Sequence, residues 1–230
     1  MKLRLLLLSA ACVAAGCDLP RDPESTLPRI RNGTLRVGVT AHEPWARYTG
    51  GDPQGVEVEI VKELAEELGA EIEWVFGNES ELMQAAEAFE LDLVIGGITD
   101  DSPWQDRVGM TRPFLEVKTL VAVPGGEPPL LELKRDEVAV SPGDAIAEKV
   151  LSEGGIPVPV EERREAAHSI AATDYEIEAW EFEPTAIELE TEKHVMAVPP
   201  GENGWLLFVE KFLARKRAAI REKLVEEVRP

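Results

Sequence analysis

Cysteine and histidine are scarce in this chain of 230 residues. The only two cysteines, Cys12 and Cys17, lie close to the N-terminus, so the rest of the chain has no pair that could form a disulfide. The three histidines, His42, His168 and His194, are scattered, and the chain has no H-E-x-x-H, C-x-x-C, G-x-S-x-G or phosphate-loop pattern. We therefore expect no metal, no cofactor and no enzymatic activity.

Basic residues are also few. The sequence has 24 Lys and Arg against 44 Asp and Glu, a formal net charge of −20. A surface this acidic repels phosphate groups, which argues against nucleic acids and anionic membrane surfaces as partners.

The first 16 residues resemble a bacterial lipoprotein signal peptide. Lys2 and Arg4 precede an apolar run from Leu5 to Val13, which Ala14-Ala15-Gly16-Cys17 follows. The run is too short to cross a bilayer as a helix. The resemblance implies lipidation of Cys17 and an anchor on the extracytoplasmic face of the cell membrane, facing the periplasm; ordinary secretion is the alternative.

Residues 17–33 are predicted to form a tether between this anchor and the folded part. They include three prolines and many charged residues, a composition typical of an extended linker. Removal of residues 1–16 takes Lys2 and Arg4 away, so 22 basic and 44 acidic residues remain, a net charge of −22.

Strands and helices alternate after the tether. Apolar runs predict strands, and apolar residues at helical spacing predict helices: strands at Leu35–Val39, Ile72–Phe76 and Leu91–Ile95, helices at Val56–Leu68 and Ser80–Phe89. Such alternation indicates a parallel sheet built from βαβ units. Ligands bind beyond the carboxyl ends of such strands, which here means the Thr40–Tyr48 loop and the Gly96–Thr99 turn.

Several motifs in this region identify a resemblance. The segments LRVGVT, EPWARYTGGDPQGVEVEIVKELAEELGA, LDLVIGGIT and TRPF resemble the periplasmic solute-binding proteins of the polar amino-acid class, family 3, and KHVMAVPPGENGWLLFVEKFL is a weaker match. These proteins are the extracellular partners of ABC importers. The resemblance implies an α/β, two-lobed, periplasmic-binding-protein-like (type II) fold with two hinge crossings.

The hinge crossings implied by the resemblance are Leu115–Val123 and Lys193–Val198. Lobe one is then predicted to comprise residues 34–116 and 198–230, and lobe two residues 117–197. Within lobe two the patterns predict strands at Glu137–Val140, Ile156–Val160 and Ile177–Phe182, and helices at Asp144–Leu151 and Glu161–Ala172. Trp205–Val228 is predicted to be an amphipathic helix that packs on lobe one.

The ligand-binding positions of the family are only partly kept. The arginine that holds the ligand carboxylate in the family falls at Trp104, and Arg107 lies three residues further on. A threonine that begins a helix in lobe two falls at Asp144, and the aspartate that binds the ligand ammonium falls at Asp174. Two aromatic positions fall at His42 and Glu79.

Other interpretations of these residues remain open. Asp144 follows Gly143 and suits a helix N-cap, Trp104 suits a packing residue, and Glu79 suits the first turn of a helix.

If these residues line the cleft, they favour a cation. Asp144 and Asp174 would hold it, Trp45 and Trp104 would cover it through cation–π contacts of about 0.5–2 kcal/mol per ring, and Thr99 and the Gly97 backbone would complete the site. The ligand would then be an amine, a polyamine or a quaternary ammonium compound rather than a free amino acid.

Three functions follow as hypotheses. The first is an extracytoplasmic lipoprotein, monomeric, that captures a small polar or cationic solute by hinge closure and presents it to a membrane permease, such as an ABC importer. The second is a ligand sensor that regulates a membrane transporter or kinase. The third, which is less favoured, is a periplasmic dehydratase resembling cyclohexadienyl dehydratase, with His42, Glu79 or Asp174 as an acid.

Overall fold

The computed structural model describes residues 22–48 and 50–230. The proposed signal peptide and Cys17 lie outside the described residues. The strands are β1 (Thr34–Val39), β2 (Glu71–Phe76), β3 (Leu93–Ile95), β4 (Gly109–Met110), β5 (Leu115–Val123), β6 (Glu137–Val140), β7 (Ile156–Pro159), β8 (Ile170–Thr173), β9 (Glu183–His194) and β10 (Ala197–Val198). The α-helices are α1 (Thr26–Ile30), α2 (Val56–Leu68), α3 (Glu79–Glu87), α4 (Ile146–Ser152), α5 (Asp174–Ala179) and α6 (Asn203–Glu227).

The first sheet has the strand order β2-β1-β3-β10-β4 and forms the centre of lobe one. Its first three strands are parallel, as the βαβ pattern predicts, and β10 joins them antiparallel. Helix α2 packs its apolar side chains into the core of this lobe and ends at Gly69, whose positive φ of 64° suits a left-handed C-cap. Strand β1 is followed directly by the Thr40–Tyr48 loop, and β3 is followed by the Gly96–Thr99 turn.

The second sheet has the strand order β7-β6-β8-β5-β9 and forms the centre of lobe two. Its longest pairing is the antiparallel one between β5 and β9, which begins with Leu115 opposite His194. The chain passes from one sheet to the other between β4 and β5 and returns between β9 and β10. The predicted two-lobed α/β fold with two crossings is confirmed by these sheets.

Two element predictions in lobe two are wrong. The predicted helix at Glu161–Ala172 is a short 3-10 turn, Arg163–Glu165, followed by the central strand β8. The predicted strand at Ile177–Phe182 is part of helix α5 and the residues after it. Thr173 starts this helix with a capping box, because its hydroxyl accepts a hydrogen bond from the Glu176 amide while the Glu176 carboxylate accepts one from the Thr173 amide.

The prediction of a tether is also wrong for the part of residues 17–33 that the structure describes. Helix α1 docks on lobe one with Thr26 and Ile30 buried. Arg29 forms an ion pair with Asp92, a fully buried carboxylate that also binds Arg36. The ion pair holds α1 on lobe one, because a buried carboxylate is stable only beside cationic partners and Arg29 is one of the two.

Helix α6 packs on lobe one, as the amphipathic pattern predicts, and runs without a break from Asn203 to Glu227, a point that the pattern left open. Its side chains Trp205, Val209 and Phe212 are at most 1% exposed. The Trp205 indole N–H donates a hydrogen bond to the Asp92 carbonyl oxygen at 2.7 Å. Among the described residues, no helix is both long enough and apolar enough to cross a membrane.

Candidate ligand-binding site

Two adjoining cavities lie at the carboxyl ends of β1 and β3. The first, of about 270 Å³, lies between the lobes and is lined by the loop after β1, by β5, β8 and β9, and by the starts of α4 and α5. The second, of about 500 Å³, lies between the loop after β1, the Gly96–Thr99 turn and the residues that follow it. Both cavities are lined by His42 and Glu192, so we treat them as one cleft with two chambers.

The loop after β1 brings its side chains to the cleft through a tight turn. The His42 amide donates to the Ala46 carbonyl oxygen at 2.8 Å, and the Ala46 amide donates back at 2.9 Å. This turn places His42, Glu43 and Trp45 at the first cavity. Trp45 is only 2% exposed, so it forms a wall of the cavity rather than a free lid.

The turn after β3 is shaped by two glycines and a buried acid. Gly97 has a φ of 72°, and a Cβ at this position would lie 2.6 Å from both His42 and Trp45, so no other residue fits here. The Glu57 carboxylate accepts hydrogen bonds from the amides of Gly96 at 2.6 Å and Gly97 at 3.1 Å. The Gly97 amide is therefore bound to Glu57, and its predicted direct contact with a ligand is not available in this structure.

Glu57 is fully buried at the start of α2. Burial raises its pKa to about 7, and the two backbone hydrogen bonds offset this only in part. Its second carboxylate oxygen has no hydrogen-bond partner among the described residues. The Glu57 carboxylate thus holds the turn in place, and with a pKa of about 7 it is about half ionised near neutral pH.

His194 lines the first cavity and is almost completely buried. Its ring lies against Trp45, with the ring centroids 3.9 Å apart and the planes tilted by 33°. The pKa of His194 is lowered to about 4, chiefly by burial and in smaller part by repulsion from His42, while the Gly97 backbone opposes the shift. Neither ring nitrogen has a hydrogen-bond partner of normal geometry in the described part of the chain. A neutral imidazole here can accept a hydrogen bond from a ligand.

Strand β9 supplies the most acidic wall. Glu190 and Glu192 point into the first cavity, while Ile187 and Leu189, on the opposite face of the strand, are buried in the core of lobe two. Burial raises the pKa of Glu192, and Glu190 raises it further by repulsion. A positive ligand beside Glu192 would act in the opposite direction and lower this pKa.

Positive side chains are nearly absent from the cleft. Among the described residues that line the two cavities, Arg163 is the only Lys or Arg. Its guanidinium lies 2.8 Å from the Glu176 carboxylate, donates to the Ala171 carbonyl oxygen and lies over the Trp180 ring. Seven carboxylates line the same surfaces: Glu43, Glu79, Asp101, Asp144, Glu176, Glu190 and Glu192.

Three of the predicted polar residues reach the cleft and are partly engaged. Asp144 lines the first cavity, and its carboxylate accepts a hydrogen bond at 2.9 Å from the amide of Ile146, the first residue of α4, although the N-cap position itself is Ala145. Glu79 lines the second cavity and accepts a hydrogen bond from the Ser102 hydroxyl at 3.1 Å. The Thr99 hydroxyl, in the same cavity, donates to the Asp101 carboxylate.

Trp104 does not line either cavity. It packs against the apolar cluster formed by α3, β3 and β10, and the Arg107 guanidinium lies 4.4 Å from its ring centroid. The guanidinium of Arg107 also binds Glu87 on α3. Trp104 is therefore a packing residue in this structure, because its large ring finds apolar neighbours beside α3, and Arg107 does not replace the missing arginine.

Asp174 also turns away from the cleft. Thr173 is the N-cap of α5, so Asp174 is its first helical residue and points toward α6, where its carboxylate lies 2.6 Å from Arg221. The neighbouring Thr173, Tyr175 and Glu176 line the first cavity instead. Asp174 is therefore not placed to bind a ligand ammonium or to serve as the acid of a dehydratase.

The sequence reasoning missed the acids of β9. Glu188, Glu190 and Glu192 alternate with Ile187 and Leu189, which is the pattern of a strand with one buried face. That alternation predicts a strand with acids on one side, whereas the strand predicted at Ile177–Phe182 ends just before β9 begins at Glu183. Within residues 22–48 and 50–230, no three His, Cys, Asp or Glu side chains converge in a way that suits a metal ion.

Comparisons with known proteins agree with this architecture. The model of the bacterial extracellular solute-binding proteins, family 3, matches residues 35–226. An ancestral cationic amino acid solute binding protein has a TM-score of 0.68 at 19% identity, covering 90% of this chain and 100% of that one. The L-cystine solute receptor of Neisseria gonorrhoeae, unliganded and open, also has a TM-score of 0.68, at 18% identity over 87% of this chain and 94% of that one. At such identities the likeness shows the fold alone.

Curated relatives match over a shorter stretch. A membrane-bound lytic murein transglycosylase F of Vibrio cholerae is 38% identical over 87 residues, which is 36% of this chain and 16% of the relative. One from Shewanella pealeana is 28% identical over 131 residues, which is 56% of this chain and 27% of the relative. The chain thus spans less than a third of the length of these relatives.

Proposed function

The chain belongs to the bacterial extracellular solute-binding proteins, family 3, and we propose that it captures a small cationic solute in the cleft between its two lobes. The observation that carries this proposal is the charge of the cleft. Seven carboxylates line it, and the only guanidinium among the described lining residues, Arg163, is already paired with Glu176. The cleft is thereby short of positive charge, which a cationic ligand supplies.

A free carboxylate on the ligand has no partner here. The predicted arginine position is Trp104, which packs away from the cleft, and Arg107 binds Glu87. An anion placed in the cleft would meet the carboxylates of Asp144, Glu190 and Glu192. Charge of this sign therefore selects against acidic solutes and favours amines.

Capture proceeds by closure of the lobes. His42, Glu43 and Trp45 belong to lobe one, whereas Asp144 and Thr173 belong to lobe two, and all of them line the same cavity. A solute that contacts both sets favours the closed arrangement over the open one, because only the closed one makes both sets of contacts. The crossings between β4 and β5 and between β9 and β10 are the hinges.

Delivery to an ABC importer and anchoring through Cys17 complete the proposal. Both rest on the sequence: the family resemblance implies the importer, and the lipoprotein-like signal implies the anchor. Mass spectrometry of the mature protein from its native host tests the anchor, since a diacylglycerol on Cys17 is expected. An unmodified N-terminus downstream of Cys17 would contradict it.

The transglycosylase relatives favour a second candidate, a ligand-sensing module that regulates another membrane-associated activity. In those relatives a domain like this one makes up a minor share of a longer chain. The two candidates differ in one observable. Deletion of the gene abolishes uptake of the solute if the protein serves an importer, whereas uptake persists if the protein is a sensor.

A thermal-shift screen tests ligand capture. Amines, cationic amino acids, neutral amino acids and dicarboxylates are compared at equal concentration. A ligand present at 100 times its dissociation constant stabilises the folded state by about 2.7 kcal/mol, which is easily measured. We expect stabilisation by cations only. Stabilisation by dicarboxylates or by neutral amino acids alone would contradict the proposal.

A further inference from the structure

The two chambers of the cleft are both acidic, and they meet at one residue pair. The first cavity has Asp144 and Glu190, and the second has Glu79 and Asp101. Glu192 lies at both, together with His42. A compact monovalent cation would offset one negative charge in one chamber and leave the carboxylates of the other chamber without a cation.

An independent feature points to a ligand in the first chamber. His194 is 1% exposed and lines this chamber, yet neither of its ring nitrogens has a hydrogen-bond partner of normal geometry among the described residues. A buried polar atom without a partner destabilises the folded state, because it has lost its hydrogen bonds to water. A donor on a ligand would satisfy the acceptor nitrogen of the neutral ring, and an ammonium group carries three donors.

The second chamber also has spare acceptors. The Glu79 carboxylate accepts a hydrogen bond from Ser102, and the Asp101 carboxylate accepts one from Thr99. A carboxylate has about four lone-pair positions, so each side chain can accept further hydrogen bonds. The hydroxyls fix the orientation of the two carboxylates and leave their negative charge uncompensated.

We infer that the cleft takes an elongated dication without a carboxylate, an α,ω-diamine or a polyamine, with one ammonium in each chamber and the methylene chain passing His42. This inference rests on the proposed function, since it specifies the cation that the same cleft captures. The first ammonium meets Asp144, Glu190 and the free nitrogen of His194. The second meets Asp101 and Glu79, and Glu192 lies between them.

Three ligands of nearly equal length test separately whether the cleft binds two ammonium groups and whether it rejects a carboxylate. 1,5-Diaminopentane has two ammonium groups, pentylamine has only one, and lysine is 1,5-diaminopentane with an added carboxylate. Isothermal titration calorimetry of the protein with each ligand at neutral pH measures the three affinities. We expect the diamine to bind at least tenfold more tightly than either of the others.

Each other outcome has a distinct meaning. Lysine binding more tightly than the diamine would show a carboxylate site and overturn the inference, while cation capture would stand. Equal affinities of pentylamine and the diamine would overturn the two-chamber arrangement alone. No binding of any of the three, nor of spermidine, would overturn both this inference and the proposed function.

Substitution in the second chamber provides the matched test. Asp101→Asn keeps the size of the side chain and removes its charge, so the affinity for 1,5-diaminopentane should fall at least fivefold, while that for pentylamine changes less than threefold. Glu188→Gln is the control, because Glu188 lies on β9 with Glu190 and Glu192 but binds Lys118 outside both cavities. An equal loss for both amines in Asp101→Asn would contradict the placement of the second ammonium.

Discussion

Asp174 of α5 lies 2.6 Å from Arg221 of α6, an ion pair without hydrogen-bond geometry that joins lobe two to the C-terminal helix of lobe one. Arg221 also binds Glu178, and the Trp180 indole N–H donates to the Val228 carbonyl oxygen at 2.9 Å. Helix α5 therefore contacts α6 on one face and lines the first cavity with another. This contact holds lobe two against the end of α6.

Arg221→Ala should weaken the contact between α5 and α6. The side chains of Arg221 and Asp174 are less than a third exposed, so we expect a loss of about 1 kcal/mol in the free energy of unfolding. Arg215→Ala is the control, because its pair with Glu67 lies within lobe one and is about half exposed, where losses are a few tenths of a kcal/mol. Urea unfolding compares the two variants, and equal losses would argue against a structural role for the contact.

Glu57 should make the protein less stable as the pH rises. Its pKa is raised from 4.5 to about 7, so in the interval between these values the folded state holds a proton that the unfolded state has lost. Its stabilising contribution is therefore complete below about pH 4.5 and disappears as the pH approaches 7.

Glu57→Gln keeps an acceptor for the Gly96 and Gly97 amides and removes the titration. We expect the variant to gain stability relative to the wild type between pH 4.5 and 7.5, by on the order of a few kcal/mol. Glu66→Gln, at an exposed position on the same helix, serves as the control. A difference between Glu57→Gln and wild type that does not change with pH would refute the buried titration.

His194 should remain neutral through the physiological range. Its pKa is lowered to about 4 from 6.5, so folding is destabilised as the pH falls from about 6.5 to 4, where the unfolded state binds the proton first. The measurement is an NMR titration of the ring carbon signals, with the signal assigned by its loss in His194→Asn. A midpoint near 6.5 would mean that the ring is open to solvent.

Asp92 should be essential for stability. It is fully buried and binds Arg36 through two side-chain contacts of 2.7 and 3.1 Å, as well as Arg29 of α1. Asp92→Ala removes the carboxylate that both arginines share, and because Arg29 and Arg36 are partly exposed we expect a loss of about 1.5–3 kcal/mol. Glu87→Ala, which breaks an exposed pair with Arg107, should cost no more than about 1 kcal/mol. Thermal unfolding of both variants is the measurement, and a loss below 1 kcal/mol for Asp92→Ala would show that α1 docks by other contacts.

Lobe one was predictable because its elements repeat one simple pattern. The apolar spacing in Val56–Leu68 gives the observed limits of α2, and the strand predicted at Leu35–Val39 differs from β1 by one residue. Lobe two was less predictable, since Ile170–Thr173 is a short apolar run that suits a helix or a strand equally well. The capping box of Thr173 and Glu176 marks a helix start at Asp174, so Ile170–Thr173 lies before that helix.

The residues of the candidate site were likewise predictable only in part. Positions next to strand ends, such as His42, Gly97 and Thr99, reach the cleft because sheet topology brings them there. Trp104 and Asp174 do not, because their orientation depends on local turns and on tertiary partners, an apolar cluster for one and Arg221 for the other. Sequence spacing alone does not contain that information.

Calorimetry with 1,5-diaminopentane on the wild type, Glu192→Gln and Glu188→Gln tests the central claim, that negative charge in the cleft captures a cation. Glu192 lies at both cavities, whereas Glu188 binds Lys118 outside them. The account predicts an affinity at least tenfold lower for Glu192→Gln and unchanged within twofold for Glu188→Gln. Binding that is the same in all three proteins, or a wild type that binds dicarboxylates in place of amines, would contradict it.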